Sequence, residues 1–321
     1  MDEIALTQDQ QIDPILLELP DAPTAPPPHQ TYPWQWEGQT HNIAYEVTGE
    51  GEPILLLPSF STVSSRKEMR GLARELSNRY QVWTLDWLGF GDSDRPPLTY
   101  LPKYYRAFLR TFVQEMFQNP VVVVAPGHAA GYVMQLAQEQ PLIWKWVVLV
   151  APTWRGPLPT MMGDKHRSKF KTIQKLVSLP VIGQFLYWLN TTQGLLRFMY
   201  RRHVFANTAN LSDRFLQAKQ NLSRQPGARF ASVAFVTGGL DPMQRREDWL
   251  GLFQPLPLPT LMVLGEHMPP KSRQEAEIVA HFSSVQSVRL PGSLGLHEEY
   301  PERLAQAIVP FLDKYLSRSS S

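Results

Sequence analysis

The sequence predicts an α/β protein with a mostly parallel, doubly wound sheet, and three observations support this prediction. Short apolar runs alternate with helical patterns along most of the chain, as in repeated strand–helix–strand units. The run 121–125 is the clearest strand, because it is rich in β-branched residues and lies between Asn119-Pro120 and Pro126-Gly127. The 321 residues, of which 43% are hydrophobic and 19% charged, are enough for one sizeable core.

The predicted elements follow one another in a regular order. Residues 41–47 alternate between apolar and polar side chains, as expected of a half-buried strand, and Gly49-Glu50-Gly51 then turns the chain. The later predicted strands are 54–57, 82–85, 121–125, 146–150, 261–264 and 287–290. Most of them are continuously apolar, which is typical of strands buried on both faces. The spacing of apolar residues predicts helices over 66–80, 104–117, 130–139, 274–281 and 302–316.

Two segments fall outside this alternation. Residues 1–33 are acidic and end in a proline-rich run, so we expect an extended or disordered arm. Residues 152–231 interrupt the core between two strands and contain helical stretches over 170–177, 183–189 and 194–205. Such an insertion is expected to form a helical cap over the carboxyl ends of the strands, where open α/β sheets bind ligands. The core is then predicted over 34–151 and 232–321.

The formal net charge of +2 conceals a strong segregation of charge along the chain. Residues 1–65 carry ten acidic and no basic side chains, whereas residues 152–230 carry thirteen basic and two acidic side chains. This asymmetry indicates a partner or surface of one sign, or docking of the acidic arm on the basic segment. The chain has no cysteine, which excludes a disulfide scaffold, a thiolate zinc site and a cysteine nucleophile.

Residues 1–15 lack the basic start and apolar run of a signal peptide. The chain also lacks an uninterrupted apolar stretch of the roughly 18 residues that a membrane span needs. We therefore expect a soluble protein of cytoplasmic or stromal type, with peripheral membrane association as an alternative. Metal-ligand spacings and phosphate-binding loops are missing from the sequence, so we expect neither a metal nor a cofactor.

Five segments occur in the order of a known superfamily. They are Leu55-Leu56-Leu57-Pro58-Ser59-Phe60, the loop 85–96, Gly127-His128-Ala129-Ala130-Gly131, residues 259–268 and residues 290–302. Together they resemble the α/β-hydrolase superfamily in its capped form, over roughly residues 35–316. The resemblance implies the α/β-hydrolase fold, and it suggests hydrolase-like proteins of cyanobacteria and chloroplasts as the nearest relatives. The cap lies within this range but contributes nothing to the resemblance, and the arm lies outside it.

The same resemblance implies that the catalytic groups are missing. The elbow that carries the nucleophile in this superfamily corresponds to Ala129, whose methyl group has no chemistry to offer. The position of the acid corresponds to Met268, and that of the base to Leu294. Because triad residues act as a unit, the loss of one removes most of their joint contribution. The sequence therefore predicts a catalytically degenerate hydrolase, with His297 as the alternative base if the last loop is shifted by one turn.

The resemblance also implies an altered oxyanion loop, with Pro58-Ser59 in place of the superfamily's His-Gly. Four further residues are predicted to line the pocket or this loop. They are Ser59, Phe60, His128 and Ala130. With alanine, methionine and leucine at the catalytic positions, the old centre would be apolar and would favour hydrocarbon over a bound charge.

The basic cap is the second candidate site. Lys165, Arg167, Lys169 and Lys171 form a compact cluster, and Arg201 and Arg202 follow a stretch rich in aromatic residues. Aromatic and basic residues together are typical of a segment that binds an anionic membrane surface. The alternative is a cap that packs on the core and leaves its charges in solvent. Nucleic acid is disfavoured as a partner, because no recognised nucleic-acid fold accompanies the charge.

These observations lead to one main expectation and two rivals. The main one is a non-catalytic protein that binds an apolar or amphipathic molecule such as a lipid, or docks its cap on an anionic membrane or acidic protein. The first rival is an active hydrolase of an ester or related bond, with a rearranged site that uses His297. The second rival is a scaffold for protein assembly.

Overall fold

The computed structural model describes residues 29–163, 166–256 and 258–319. Within these ranges, eight strands form one sheet: β1 (Gln30–Trp36), β2 (Gln39–Thr48), β3 (Glu52–Leu56), β4 (Tyr80–Leu85), β5 (Val121–Pro126), β6 (Trp144–Val150), β7 (Thr260–Gly265) and β8 (Gln286–Leu290). Their order across the sheet is β1-β2-β4-β3-β5-β6-β7-β8. The pairs β1–β2 and β2–β4 are antiparallel and the others are parallel, as the sequence predicts.

Helices cover both faces of the sheet, so the doubly wound arrangement is confirmed. They are α1 (Arg70–Leu76), α2 (Pro102–Met116), α3 (Ala129–Glu139), α10 (Arg246–Gly251), α11 (Pro270–Ala280), α12 (Leu296–Glu299) and α13 (Pro301–Ser319). Alternate residues of β5 reach opposite faces. Val121 and Val123 join the core cluster of α2 and α3, whereas Val122 and Val124 join that of α1 and α13.

The insertion between β6 and β7 is helical, as predicted. It contains α4 (Pro157–Met162), α5 (Arg167–Ser178), α6 (Ile182–Leu189), α7 (Gln193–Met199), α8 (Asp213–Ser223) and α9 (Ala228–Val236). A wide helical turn, Tyr200–Val204, continues α7. The helical stretches predicted over 170–177, 183–189 and 194–205 correspond to α5, α6 and α7 with this turn. Sequence analysis did not predict α4, α8 or α9.

The first strand begins inside the segment predicted to be an arm. Residues 30–33 pair with β2, with Gln30 opposite Tyr45 and Pro33 opposite Asn42. Proline is tolerated here because β1 is the edge strand and needs no ladder hydrogen bond on its outer side. The predicted boundary at residue 33 is therefore too late, and residues 1–28 lie outside the described part of the chain.

Candidate functional site at the carboxyl edge of the sheet

The sharp turn between β5 and α3 is at Gly127. Strand β5 ends at Pro126, α3 begins at Ala129, and Gly127 has φ +53°. The Gly127 N–H donates to the Val150 carbonyl at 2.9 Å, which ties the turn to β6. A strand-to-helix turn of this kind is where a hydrolase of this architecture exposes its nucleophile.

This geometry corrects the predicted position of the nucleophile. Ala129 is already helical, is fully buried and lacks the positive φ of the turn residue. Small residues, Ala125 and Ala129, flank the turn residue two positions away on each side. This spacing is the sequence signal of the turn, and the sequence analysis placed its centre two residues too late, at Ala129. Gly127 has no side chain, so the inference of a missing nucleophile is unchanged. A Cβ at this position would lie 3.6 Å from Ser59 Cβ, which is ordinary contact.

Aromatic rings fill the space beside the turn. Phe60 stacks on Trp87 with ring centroids 4.9 Å apart and meets Tyr105 edge-on at 5.0 Å. On its cap side, Phe60 approaches Phe235 of α9 at 6.5 Å. Of the residues predicted to line a pocket, Phe60, His128 and Ala130 are buried and only Ser59 is partly exposed. Phe60 is therefore packed among aromatic side chains of the core and the cap, next to His128, the residue that follows the turn.

His128 is held as a neutral side chain within this cluster. Its Nε2 lies 2.9 Å from the Leu240 carbonyl oxygen and 3.5 Å from Asp241 Oδ1, and its ring meets Phe235 edge-on. Burial lowers the pKa of His128 to about 4, although the hydrogen bond to Leu240 opposes this shift. Its Nδ1 has no hydrogen-bond partner among the described residues. The sequence placed His128 before the turn, whereas it follows the turn and packs under the cap.

The segment after β7 carries no acid at the predicted place. Met268 is 2% exposed and belongs to the main core cluster. Its N–H donates to the Gly265 carbonyl, which closes the turn at the end of β7. A thioether in this position can neither orient a histidine through a strong hydrogen bond nor stabilise its protonated form with a negative charge.

The cap contacts the loop after β8 at the predicted position of the base. Leu294 packs against the main core, and the Gly295 N–H donates to the Val204 carbonyl at 2.8 Å. The Ser293 hydroxyl donates to the His203 carbonyl at 2.9 Å. A Cβ at Gly295 would lie 2.7 Å from Val204 Cγ1, so the wide turn of the cap leaves no room for a larger side chain there.

A buried polar cluster lies between this loop and the cap, and we call it the Glu68 cluster. Glu68 Oε1 accepts from the Ser59 N–H and lies 3.3 Å from His297 Nε2. Lys219 Nζ, from α8, pairs with Glu298 Oε1 at 2.6 Å. These four side chains, Glu68, His297, Lys219 and Glu298, have relative exposures of 4%, 3%, 6% and 14%.

The charges in the Glu68 cluster stabilise one another. Burial alone would raise the pKa of Glu68, but the hydrogen bond and charge of His297, together with Lys219, lower it below its usual range. For Lys219 the directions are reversed. Burial alone would lower its pKa, but Glu298, Tyr200 and Glu68 raise it. Of this cluster, sequence analysis identified only His297. No local pattern in the sequence distinguishes the other members from ordinary surface charges, because their burial depends on how the cap docks.

The predicted basic residues of the cap lie at its surface where the structure describes them. Lys169 and Lys171 are exposed on α5, and Arg201 and Arg202 are exposed on the wide turn after α7. Arg167 is the first residue of α5, and Lys165 lies outside the described residues.

Comparison with known proteins identifies the family. A model described as the Alpha/beta hydrolase family matches residues 54–307, which include the turn at Gly127 and the loop after β8. The chain belongs to this family. Curated relatives include uncharacterized proteins of Mycobacterium tuberculosis and Mycobacterium bovis, each 28% identical over 108 residues. That match covers 34% of this chain and 31% of each relative, so the chain spans about a third of their length.

Solved structures of other proteins share the architecture. A thermophilic esterase from Thermogutta terrifontis matches with TM-score 0.67 and 19% identity, covering 89% of this chain and 98% of the esterase. A bromoperoxidase from Bacillus anthracis matches with TM-score 0.67 and 17% identity, covering 88% of this chain and 100% of that protein. At these identities the alpha/beta hydrolase fold is shared, whereas activity has to be argued from the site. A cyanobacterial or chloroplast relationship stays a prediction.

None of the helices in the described ranges combines the length and the apolar character needed to cross a bilayer.

Proposed function

We propose that this member of the alpha/beta hydrolase family is non-catalytic and acts by binding, with the hydrolase core as a rigid support for the cap. The observation that carries the proposal is Gly127. The turn that would present a nucleophile is intact, but its residue has no side chain. Without an attacking group, the two-step acyl transfer of a serine hydrolase cannot begin.

Two further positions support the proposal. Met268 stands in the segment that would supply the acid, and the cap contacts Leu294-Gly295 where a base would stand.

Aromatic packing around Phe60 disfavours the apolar ligand site that the sequence predicts between core and cap. An open groove of about 580 Å³, lined by residues that include Phe253, Leu256 and Phe282, lies at the amino ends of β7 and β8, the edge opposite the Gly127 turn. The outer surface of the cap is therefore the favoured binding surface.

The rival is a rearranged hydrolase that uses His297, and one contact favours it. Glu68 lies 3.3 Å from His297 Nε2, as a carboxylate that orients a catalytic histidine would. Against it, His297 Nδ1 has no hydrogen-bond partner among the described residues, so no nucleophile is positioned for it there. The Ser59 group that contacts Glu68 is the backbone N–H rather than the hydroxyl.

The deciding experiment measures hydrolysis of p-nitrophenyl esters with short to long acyl chains. We expect the wild type to match the buffer blank. Gly127→Ser restores the missing hydroxyl at the turn, where there is room for a Cβ. We expect it to stay inactive because Met268 and Leu294 stand where the acid and the base would be. Ala129→Ser is the matched control, since it places a hydroxyl inside α3 instead. Turnover by the wild type that His297→Ala abolishes would establish the rival.

A further inference from the structure

Exposed apolar side chains are concentrated on the cap. In the described residues, thirteen large hydrophobic side chains are exposed, and eleven of them lie between Met161 and Phe198. Scattered exposed apolar residues are ordinary, but a contiguous group marks an interaction site. Six of them, on α5, α6 and the turn between these helices, define what we call the α5–α6 surface: Ile173, Leu176, Val181, Ile182, Phe185 and Trp188.

Helical spacing directs this surface away from the core. On α6, Ile182 and Phe185 stand three residues apart on the outer side, whereas Gly183 and Tyr187 face inward and are buried. The Tyr187 hydroxyl donates to Ser232 of α9, which anchors α6 to the rest of the cap. The apolar side chains of the outer side thus have no role in holding α6 in place.

The turn between α5 and α6 presents its apolar tip to solvent. Val181 has φ +58°, a conformation that a β-branched residue adopts only at a cost, and it is 82% exposed. The Ile182 N–H donates to the Pro180 carbonyl at 2.6 Å, and the Phe185 N–H donates to the Val181 carbonyl at 2.9 Å. The fold therefore holds a strained turn whose side chain contributes little to the core. Such strain is typical of positions kept for function.

Basic side chains lie on the same helices as the apolar ones. Lys171 and Lys175, four residues apart, are exposed on α5, the helix that also carries Ile173 and Leu176. The guanidinium of Arg224 lies 5.4 Å from the Trp188 ring centroid. Residues 166–230 contain a single acidic side chain, Asp213, which pairs with Arg197. The segment that carries the apolar surface is thus strongly basic.

We infer that the α5–α6 surface docks on an anionic lipid bilayer, with the Val181 turn and Phe185 in the headgroup region and the lysines against the lipid phosphates. The inference rests on the proposed function, in which the cap surface rather than a catalytic pocket is the binding site. Charge selects this occupant, because exposed aromatic and aliphatic residues on helices that also carry exposed lysines match an anionic membrane interface. Lysine stems lie along apolar surface while their charged ends reach the lipid phosphates.

Sedimentation with lipid vesicles tests the inference on the full chain. The probes are phosphatidylcholine vesicles with and without one quarter phosphatidylglycerol. We expect binding to the anionic vesicles alone. Lys171→Gln should weaken it about fivefold, the equivalent of about 1 kcal/mol for one basic residue at the lipid surface. Phe185→Ser should weaken it about tenfold or more, through the loss of buried apolar area.

Leu142→Ser is the matched control for Phe185→Ser. Leu142 is 84% exposed and lies in the turn before β6, outside the cap. We expect it to bind vesicles like the wild type. Equal binding to neutral and anionic vesicles, or binding that Phe185→Ser leaves unchanged, would overturn the inference. So would a salt-insensitive dimer that Phe185→Ser dissociates, since the surface would then be covered by a second copy of the chain.

The two proposals fail in different assays. Absence of vesicle binding in a protein that hydrolyses no ester would refute the bilayer inference and leave the non-catalytic proposal standing. Ester turnover by the wild type would refute the non-catalytic proposal, whatever the vesicles show.

Discussion

His128 shows what burial does to a single side chain next to the Gly127 turn. It is 1% exposed and its ring meets Phe60 and Phe235 edge-on. The pKa of His128 falls to about 4 because the charged form would lose its hydration there. At neutral pH it is an uncharged part of the core that donates one hydrogen bond.

This shift predicts a loss of stability on mild acidification. The folded pKa lies below the usual value of 6.5, so the unfolded chain takes up a proton first as the pH falls. The contribution of His128 is complete above about pH 6.5 and is lost as the pH falls towards 4. Between pH 7 and pH 5 the free energy of unfolding should fall by roughly 2 kcal/mol from this group.

Urea unfolding of the wild type and His128→Gln at both pH values measures the effect. The amide of glutamine keeps a donor for the Leu240 carbonyl but does not titrate. We expect the variant to lose about 2 kcal/mol less than the wild type over this interval. Equal losses in the two proteins would show that His128 is not buried in its neutral form.

The turn residue illustrates the limit of sequence analysis at this scale. Two glycines, Gly127 and Gly131, flank Ala129 and make it resemble the centre of an elbow motif. In the structure, Pro126 ends the strand, and the positive φ falls on Gly127. The resemblance located the turn to within two residues, but only the backbone dihedral angle identifies which residue forms it.

At the scale of elements, α8 illustrates how the cap is attached to the core. Lys219 is buried and its ammonium lies 2.6 Å from Glu298 of α12. In the same region Glu299 accepts from the backbone N–H groups of Ala206 and Asn207. Polar contacts to α12 therefore hold two segments of the cap over the loop that would carry the catalytic base.

Removal of Lys219 should be costly. Lys219→Met leaves Glu298 without its cationic partner and removes a second positive charge from near Glu68, and we expect a loss of about 3 kcal/mol in the free energy of unfolding at pH 7. Chemical denaturation measures it.

The exposed pair Arg79–Asp313 supplies the control. Its side chains are 52% and 46% exposed, so Arg79→Met should cost less than about 1 kcal/mol. A Lys219→Met protein as stable as the Arg79→Met protein would mean that α8 is not held by this ion pair.

Sequence patterns predicted the elements of the core better than those of the cap. Strands such as β5 combine β-branched composition with flanking turn residues, so local signals agree with their burial. Helix α8 is mostly polar, and its clearest signal is Ser212, whose side chain caps the Phe215 N–H. Strand β1 was missed because Pro33 and the proline-rich run before it argue against a strand, and only pairing along β2 stabilises it.

At the scale of the whole molecule, the order of the core segments was enough to predict the fold. Five motifs follow one another with the spacing of strands and helices in the alpha/beta hydrolase family, and each strand prefers its own conformation locally. The candidate site was predicted less well, because it depends on contacts between distant segments. Glu68 and Lys219, for example, meet only through the docking of α8 on the core.

The separation of acidic and basic segments is also a property of the whole molecule. Residues 1–28 carry six acidic and no basic side chains, while residues 166–230 carry eleven basic side chains and one acidic. An acidic segment in the same chain competes with anionic lipid for the basic surface, at an effective concentration set by its connection to β1. We therefore expect residues 1–28 to weaken vesicle binding through electrostatics.

Deletion of residues 1–28 should therefore strengthen binding to anionic vesicles several-fold at low ionic strength. At 1 M salt, where the Debye length is about 3 Å, the deletion variant and the wild type should bind equally. Sedimentation across a salt series measures both values. A full-length variant with asparagine or glutamine at the six acidic positions is the control for chain length and should behave like the deletion. If that variant bound like the wild type while the deletion bound more tightly, the arm would act by steric hindrance and the charge argument would be wrong.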